Sequence, residues 1–166
     1  VYNDDKEVSK IYKKDRIIFY KLKRKLPKYF TKFPISKSEV SNAILANNFN
    51  LKKIVQIVHK KIRKRMNLFL KKNRKKKIVI LDIPLLLEKK INKKNDILIF
   101  IQSDKKEISK RLKKRKNFNQ KLYSKFKDIQ LPLDYKRKKS NFIIKNNFRN
   151  NSIKKYVNDI LKKIIV

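Results

Sequence analysis

Leu51, Ile54, Val55, Val58, Ile62, Met66 and Phe69 keep one face of a helix through several turns, while lysine and arginine fill the other face. The same periodicity predicts a helix from Asp4 to about Tyr12, with Val8, Ile11 and Tyr12 inside and acidic residues in the first turn, where the helix dipole favours them. Ser36 or Ser38 opens a short helix, and Glu39, three residues after Ser36, suits a capping box. Arg16 to Phe33 mixes Ile17, Ile18, Phe19 and Tyr20 with basic residues and is ambiguous, with Pro27 and Pro34 bounding its later part. Further amphipathic helices are expected over Lys105 to Arg115, about Gln120 to Ile129, and Ser152 to Ile165.

The period changes after the basic loop Lys71 to Lys77. Ile78 to Leu81 is a short continuous apolar run before Asp82, too short for a helix and suited to a strand buried on both faces. Asp96 to Gln102 predicts a second such strand and Phe142 to Ile144 a third, while "VYNDDKEV" at the start reads as the end of a strand running into a helix. Strands separated by helices imply an α/β fold with a parallel sheet. Ligands of such sheets sit beyond the carboxyl ends of the strands, which is where Asp82 falls. Pro84 then takes the chain out of the ladder.

Composition narrows the chemistry. The 166 residues fit one domain, 1–166, and contain no cysteine and one histidine, His59. Disulfides, thiol catalysis and thiolate metal sites are thereby excluded, and a His-based zinc cluster or Ser-His-Asp triad is disfavoured. No apolar run approaches the roughly 18 residues of a membrane span, so a soluble cytoplasmic protein without a membrane partner is expected. The formal charge of +37 attracts polyanions generally. Heavy use of lysine, asparagine, isoleucine and phenylalanine is also the signature of an A/T-rich coding sequence, which discounts that inference. No aromatic RNA-binding motif, zinc-finger spacing or G-x-x-G loop is present, so no specific nucleic-acid partner is expected.

The segment "VILDIPLLLEKK" resembles the D-I/V-P-L-L-F-E segment of dephospho-CoA kinases, a family of P-loop kinases. "VYNDDKEVSKIY" resembles the family's D-A-D segment entering a helix, and "ILANNFNLKKIVQIVHKKI" its I-F-x-N-P segment followed by L-H-P. "IQLPLDYKRKKSNFIIKNN" resembles Q-M-P-L-E-E-K-R-x-x-A-D-x-V-I-D-N. The resemblance covers nearly the whole chain. It implies transfer of the ATP γ-phosphoryl group to the ribose 3'-hydroxyl of dephospho-CoA, the last step of coenzyme A biosynthesis. ATP and Mg2+ carried on ATP are the implied cofactors, with no side chain assigned directly to metal. A helical substrate-binding region over about 15–75 and a lid over 103–130 are also implied.

Through this resemblance Asp5 matches the carboxylate that accepts the hydroxyl proton; by position alone it is a helix-start acid. Asn3 stands where the family has its first aspartate. His59 matches the L-H-P histidine on the substrate side, with Lys60 in place of the proline, although Val55 and Ile62 also mark it as a helix-packing residue. Arg111 and Arg115, one turn apart on the helix after the second strand, resemble lid arginines that close on phosphate. Lys136 and Arg137 match the K-R near the nucleotide. All four are equally read as solvated charge. Asp82 either holds a magnesium-bound water or caps its strand, and Glu88 either starts a turn or pairs with lysines.

The chain contains no glycine, so the family's G-x-x-x-x-G-K-[ST] phosphate loop cannot lie within it. The expectation is an N-terminally incomplete copy, lacking roughly 30 residues of strand, loop and helix, with its sheet short of a central strand and the chain alone inactive. The rival readings are a basic nucleic-acid-binding protein and a P-loop kinase for another small molecule.

Overall fold

Asn3 closes one element and opens the next. It is the last residue of strand β1 (Tyr2–Asn3) and the N-cap of helix α1 (Asp4–Lys14), its Oδ1 accepting from the Lys6 amide at 2.8 Å. The computed structural model describes residues 1–165. They fall into two units, Val1–Pro84 and a second that begins at Leu85.

The first unit is helical around one long axis. Asp15 separates α1 from α2 (Arg16–Lys25), capping the latter by accepting from the Ile18 amide at 3.1 Å. The ambiguous stretch after Arg16 is therefore helical as far as Lys25. Helix α3 (Lys37–Ala46) carries the expected capping box: Ser36 Oγ accepts from the Glu39 amide at 3.1 Å, and Glu39 Oε2 from the Ser36 amide at 2.8 Å. Helix α4 (Asn48–Lys72) packs against α1, α2 and α3 through its apolar stripe, with Ile54, Val58 and Ile62 buried. Ile11, Leu22 and Phe30 are fully buried. Each such side chain contributes about 1.5–3 kcal/mol of hydrophobic stabilisation.

Polar contacts fix how these helices meet. Asn50 Nδ2 donates to the Ala43 carbonyl at 3.0 Å, joining α4 to α3. Asp15 is nearly buried and receives Lys61 Nζ at 2.9 Å, joining the start of α2 to α4. The tyrosine of β1 is buried as well, donating its hydroxyl to the Ile62 carbonyl at 3.1 Å. Burial and the nearby Asp4 and Glu7 charges push the Tyr2 phenol up to about 12, so it remains a donor.

Strand β2 (Leu81–Asp82) closes this unit by running parallel to β1, with Tyr2 opposite Leu81 and Asn3 opposite Asp82. The run Ile78 to Leu81 thus contributes less strand than its apolarity suggests. Ile80 is 54 % exposed, which corrects the expectation of burial on both faces. The reason is the partner: β1 is two residues long, so only Leu81 and Asp82 are paired in register.

The second unit is built on another parallel pair. Strand β3 (Ile99–Gln102) aligns with β4 (Phe142–Lys145), from Ile99 opposite Phe142 to Gln102 opposite Lys145. Between them lie α5 (Lys105–Lys113), α6 (Gln120–Asp128) and α7 (Leu133–Lys139), and α8 (Asn150–Ile164) follows. Helix α7 was not legible in a stretch dominated by lysine. The burial expected for the second strand also fails on one face, where Ile99 and Ile101 alternate outward. Asp96 stands outside the ladder, its Oδ2 accepting from the Lys93 amide in a turn. Helix α8 packs on β4, with Ile144 and Ile160 buried. The architecture is α/β, with parallel strands and flanking helices.

Candidate functional site

The carboxyl ends of β1 and β2 gather polar side chains in the first unit. Asn3 Nδ2 donates to Asp82 Oδ2 at 2.5 Å, so the last residues of the two strands are joined by side chains as well as by register. Asp82 is therefore held at the strand end by Asn3. Asp4 and Asp5 follow in the first turn of α1. Asp5 is exposed.

Asp4 differs from its neighbour. Its Oδ1 is shielded from solvent and has no hydrogen-bond partner. Burial, followed by the like charges of Asp5, Asp82 and Glu7, raises its carboxyl to about 6. Glu7 is drawn the other way, receiving Lys10 Nζ at 2.6 Å and Arg65 Nη1 at 3.0 Å. These cations outweigh its desolvation and lower its pKa. Sequence pattern did not single out Asp4, because a first-turn acid is ordinary and its burial depends on packing. His59 lies half-buried on α4 in this same unit, next to the buried Val58.

In the second unit a cleft of about 580 Å³ opens at the carboxyl ends of β3 and β4. Gln102 and Lys145, the final residues of those strands, line it with Arg137, Asn146 and the apolar Ile108 and Leu133. Arg137 is half-exposed and only distantly paired, with Asp134 at 3.9 Å. Lys136, its neighbour, is engaged elsewhere. Its Nζ meets Glu88 Oε1 at 2.5 Å, both side chains being largely buried, and the same Oε1 accepts from the Leu131 amide at 3.0 Å. Glu88 therefore pairs with a lysine, the second of its two sequence readings. Burial alone would raise its carboxyl, but Lys136 and the amides overcome that and lower it.

Of the two arginines expected to share α5, one lies on it. Arg111 is on the helix, but the helix ends at Lys113 and Arg115 lies past the C-cap, in a turn where its amide donates to the Leu112 carbonyl. The expected extension of the helix to Arg115 is thus corrected. Arg111 stacks its guanidinium on the Phe148 ring, 3.9 Å from the centroid. No sequence periodicity pointed to Phe148.

A profile of the dephospho-CoA kinase family matches residues 4–162. The chain belongs to the dephospho-CoA kinase family. Among relatives, the dephospho-CoA kinase of Wolbachia pipientis wMel is 29% identical over 166 residues, covering 99% of this chain and 85% of that protein. That of Bartonella quintana (strain Toulouse) is 28% identical over 146 residues, covering 87% of this chain and 74% of its own. The crystal structure of TT1252 from Thermus thermophilus aligns with TM-score 0.73 at 18% identity, over 98% of this chain and 83% of that one. That likeness concerns the fold. Family membership agrees with the motif resemblance in "VILDIPLLLEKK" and in the segments that hold Asp5 and Lys136. Among the described residues, no helix is long and apolar enough to cross a membrane.

Proposed function

We propose that this chain carries the phosphoryl-acceptor machinery of an ATP-dependent kinase acting on the ribose 3'-hydroxyl of dephospho-CoA. The observation that carries this reading is the placement of Asp5: an exposed carboxylate in the first turn of α1, where the parallel strand β1 ends, in a chain whose family phosphorylates that alcohol. The 3'-oxygen attacks the γ-phosphorus of ATP while Asp5 accepts its proton. The bond from the γ-phosphorus to the β,γ-bridging oxygen breaks, and ADP leaves with that electron pair. Catalysis of this kind rests on positioning and charge neutralisation, with one proton transfer added.

Arg111 and Arg137 supply cations for the nucleotide phosphates, with Arg115 and Lys136 in supporting roles. Lys136, committed to Glu88, braces the segment that presents Arg137. His59 contributes to the dephospho-CoA side. Among the described residues no group of three or more His, Asp or Glu side chains is arranged to hold a metal. Magnesium would come with ATP and neutralise charge at the nucleotide phosphates. A glycine-rich phosphate cradle is supplied by none of these residues, because the chain has no glycine.

The test is steady-state kinetics on the protein expressed from its full reading frame, with dephospho-CoA and with nucleoside monophosphates as alternative acceptors. Asp5→Asn is expected to lower kcat by about 10²–10⁴-fold, with KM for dephospho-CoA little changed. Phosphorylation of nucleoside monophosphates without dephospho-CoA would overturn the substrate assignment, and an unaffected kcat in Asp5→Asn would overturn the role of Asp5.

A further inference from the structure

A chain without glycine must place a side chain wherever the backbone turns left-handed. Leu85, Lys90 and Phe148 have φ of 57°, 50° and 63°. An aromatic residue is poorly suited to that region, so its presence needs a compensating contact. The contact at Phe148 is Arg111. The guanidinium carbon lies 3.9 Å from the ring centroid, whereas the other cation–π pairs, at 5.2–5.9 Å, are more distant.

The backbone around Phe148 is fastened on both sides. Asn146 Oδ1 accepts from the Phe148 amide at 2.8 Å, and Asn147 Oδ1 accepts from the Arg149 amide at 3.0 Å and from Ser152 Oγ at 2.6 Å. Asn146 and Asn147 themselves line the cleft at the ends of β3 and β4, and α5, which bears Arg111, begins at the same cleft with Lys105 and Ile108. Among the described residues Arg111 takes part in no ion pair. Stacking occupies its π-face and leaves the N–H edges of the planar fork, the part that grips phosphate oxygens two at a time.

We propose that Phe148 is a positioning residue for the phosphoryl transfer: its ring holds the Arg111 guanidinium beside the strand-end cleft so that the N–H edge is presented to the nucleotide phosphates. This rests on the reading of Arg111 as a phosphate contact. Without the ring, Arg111 is a long flexible side chain on an exposed helix, and each productive contact must first order it. Phe148 itself touches no reacting atom.

The experiment compares Phe148→Leu, Phe148→Tyr, Phe148→Gly, Arg111→Ala and the double variant Phe148→Leu/Arg111→Ala in the protein from its full reading frame, reading kcat and KM for ATP. Thermal melting checks that each folds. Phe148→Leu keeps an apolar side chain without the π-face, and is expected to raise KM for ATP about fivefold with kcat and KM for dephospho-CoA little changed. Phe148→Tyr keeps the face and is expected to restore the wild-type KM. Phe148→Gly should behave like Phe148→Leu, and the double variant should be no worse than Arg111→Ala. If Arg111→Ala weakens ATP but Phe148→Leu does not, the inference falls and the phosphate role of Arg111 stands. If Arg111→Ala leaves KM for ATP unchanged while dephospho-CoA is still phosphorylated, the role of Arg111 falls and the inference with it.

Discussion

Asn3 and Asp82, opposite one another in register on two parallel strands, are also joined by a side-chain hydrogen bond from Nδ2 to Oδ2. The amide of Asn3 does two things, since its Oδ1 simultaneously caps α1 through the Lys6 amide. Asn3→Asp is expected to keep the cap but set a second carboxylate against Asp82, where the two like charges repel. Its stability should therefore fall below wild type at pH 8 and recover toward pH 4, measured by urea unfolding. Asn3→Ala should lose about 1–2 kcal/mol through the missing cap and show less dependence on pH. A pH-independent loss in Asn3→Asp would refute the like-charge explanation.

Asp4 gives a pH dependence of definite sign. Its folded-state pKa, about 6, lies above the ordinary 3.8, so the folded state binds this proton more tightly than the unfolded state does. The corresponding stability is fully present below the ordinary value and is lost as pH rises through about 6. Asp4→Asn, which removes the charge but not the shape, is expected to melt above wild type at pH 7.5 and level with it near pH 4. A gain of equal size at both pH values would contradict the assignment.

The Glu88–Lys136 pair carries the opposite sign. The Glu88 pKa is lowered in the fold, so its stabilising contribution is present above the ordinary glutamate range and is lost as pH falls through the lowered value. Lys136→Met leaves a largely buried carboxylate that keeps backbone amides, Leu131 among them, but loses its lysine. A loss of about 1–3 kcal/mol at neutral pH is expected. Denaturant titration at pH 7 and at pH 3.5 checks it, and the difference from wild type should shrink at the lower pH.

Burial separates two isoleucines that hydropathy alone treats alike. Ile11→Ala removes a fully buried side chain and should cost about 2–5 kcal/mol, whereas Ile80→Ala, at a half-exposed position, should stay within about 0.5–1 kcal/mol. Equal losses in urea unfolding would show that Ile80 is covered in solution.

Local pattern alone located α1, α3, α4, α5, α6 and α8 to within a few residues, together with the capping box of Ser36 and Glu39. It also placed Asp82 at a strand end and identified the family by its motifs. These features are written in neighbouring residues, because helix periodicity and caps are contacts between positions three or four apart. Tertiary structure alone decided which strands pair and how far, that Asp15 receives Lys61, that Glu88 claims Lys136, and that Arg111 meets Phe148. It also decided that Asp4, and not the adjacent Asp5, is shielded. In a chain with 50 basic residues and 13 acidic ones, composition offers each carboxylate many cations. Which one it meets depends on chain closure and packing between distant segments, and no local periodicity encodes that choice.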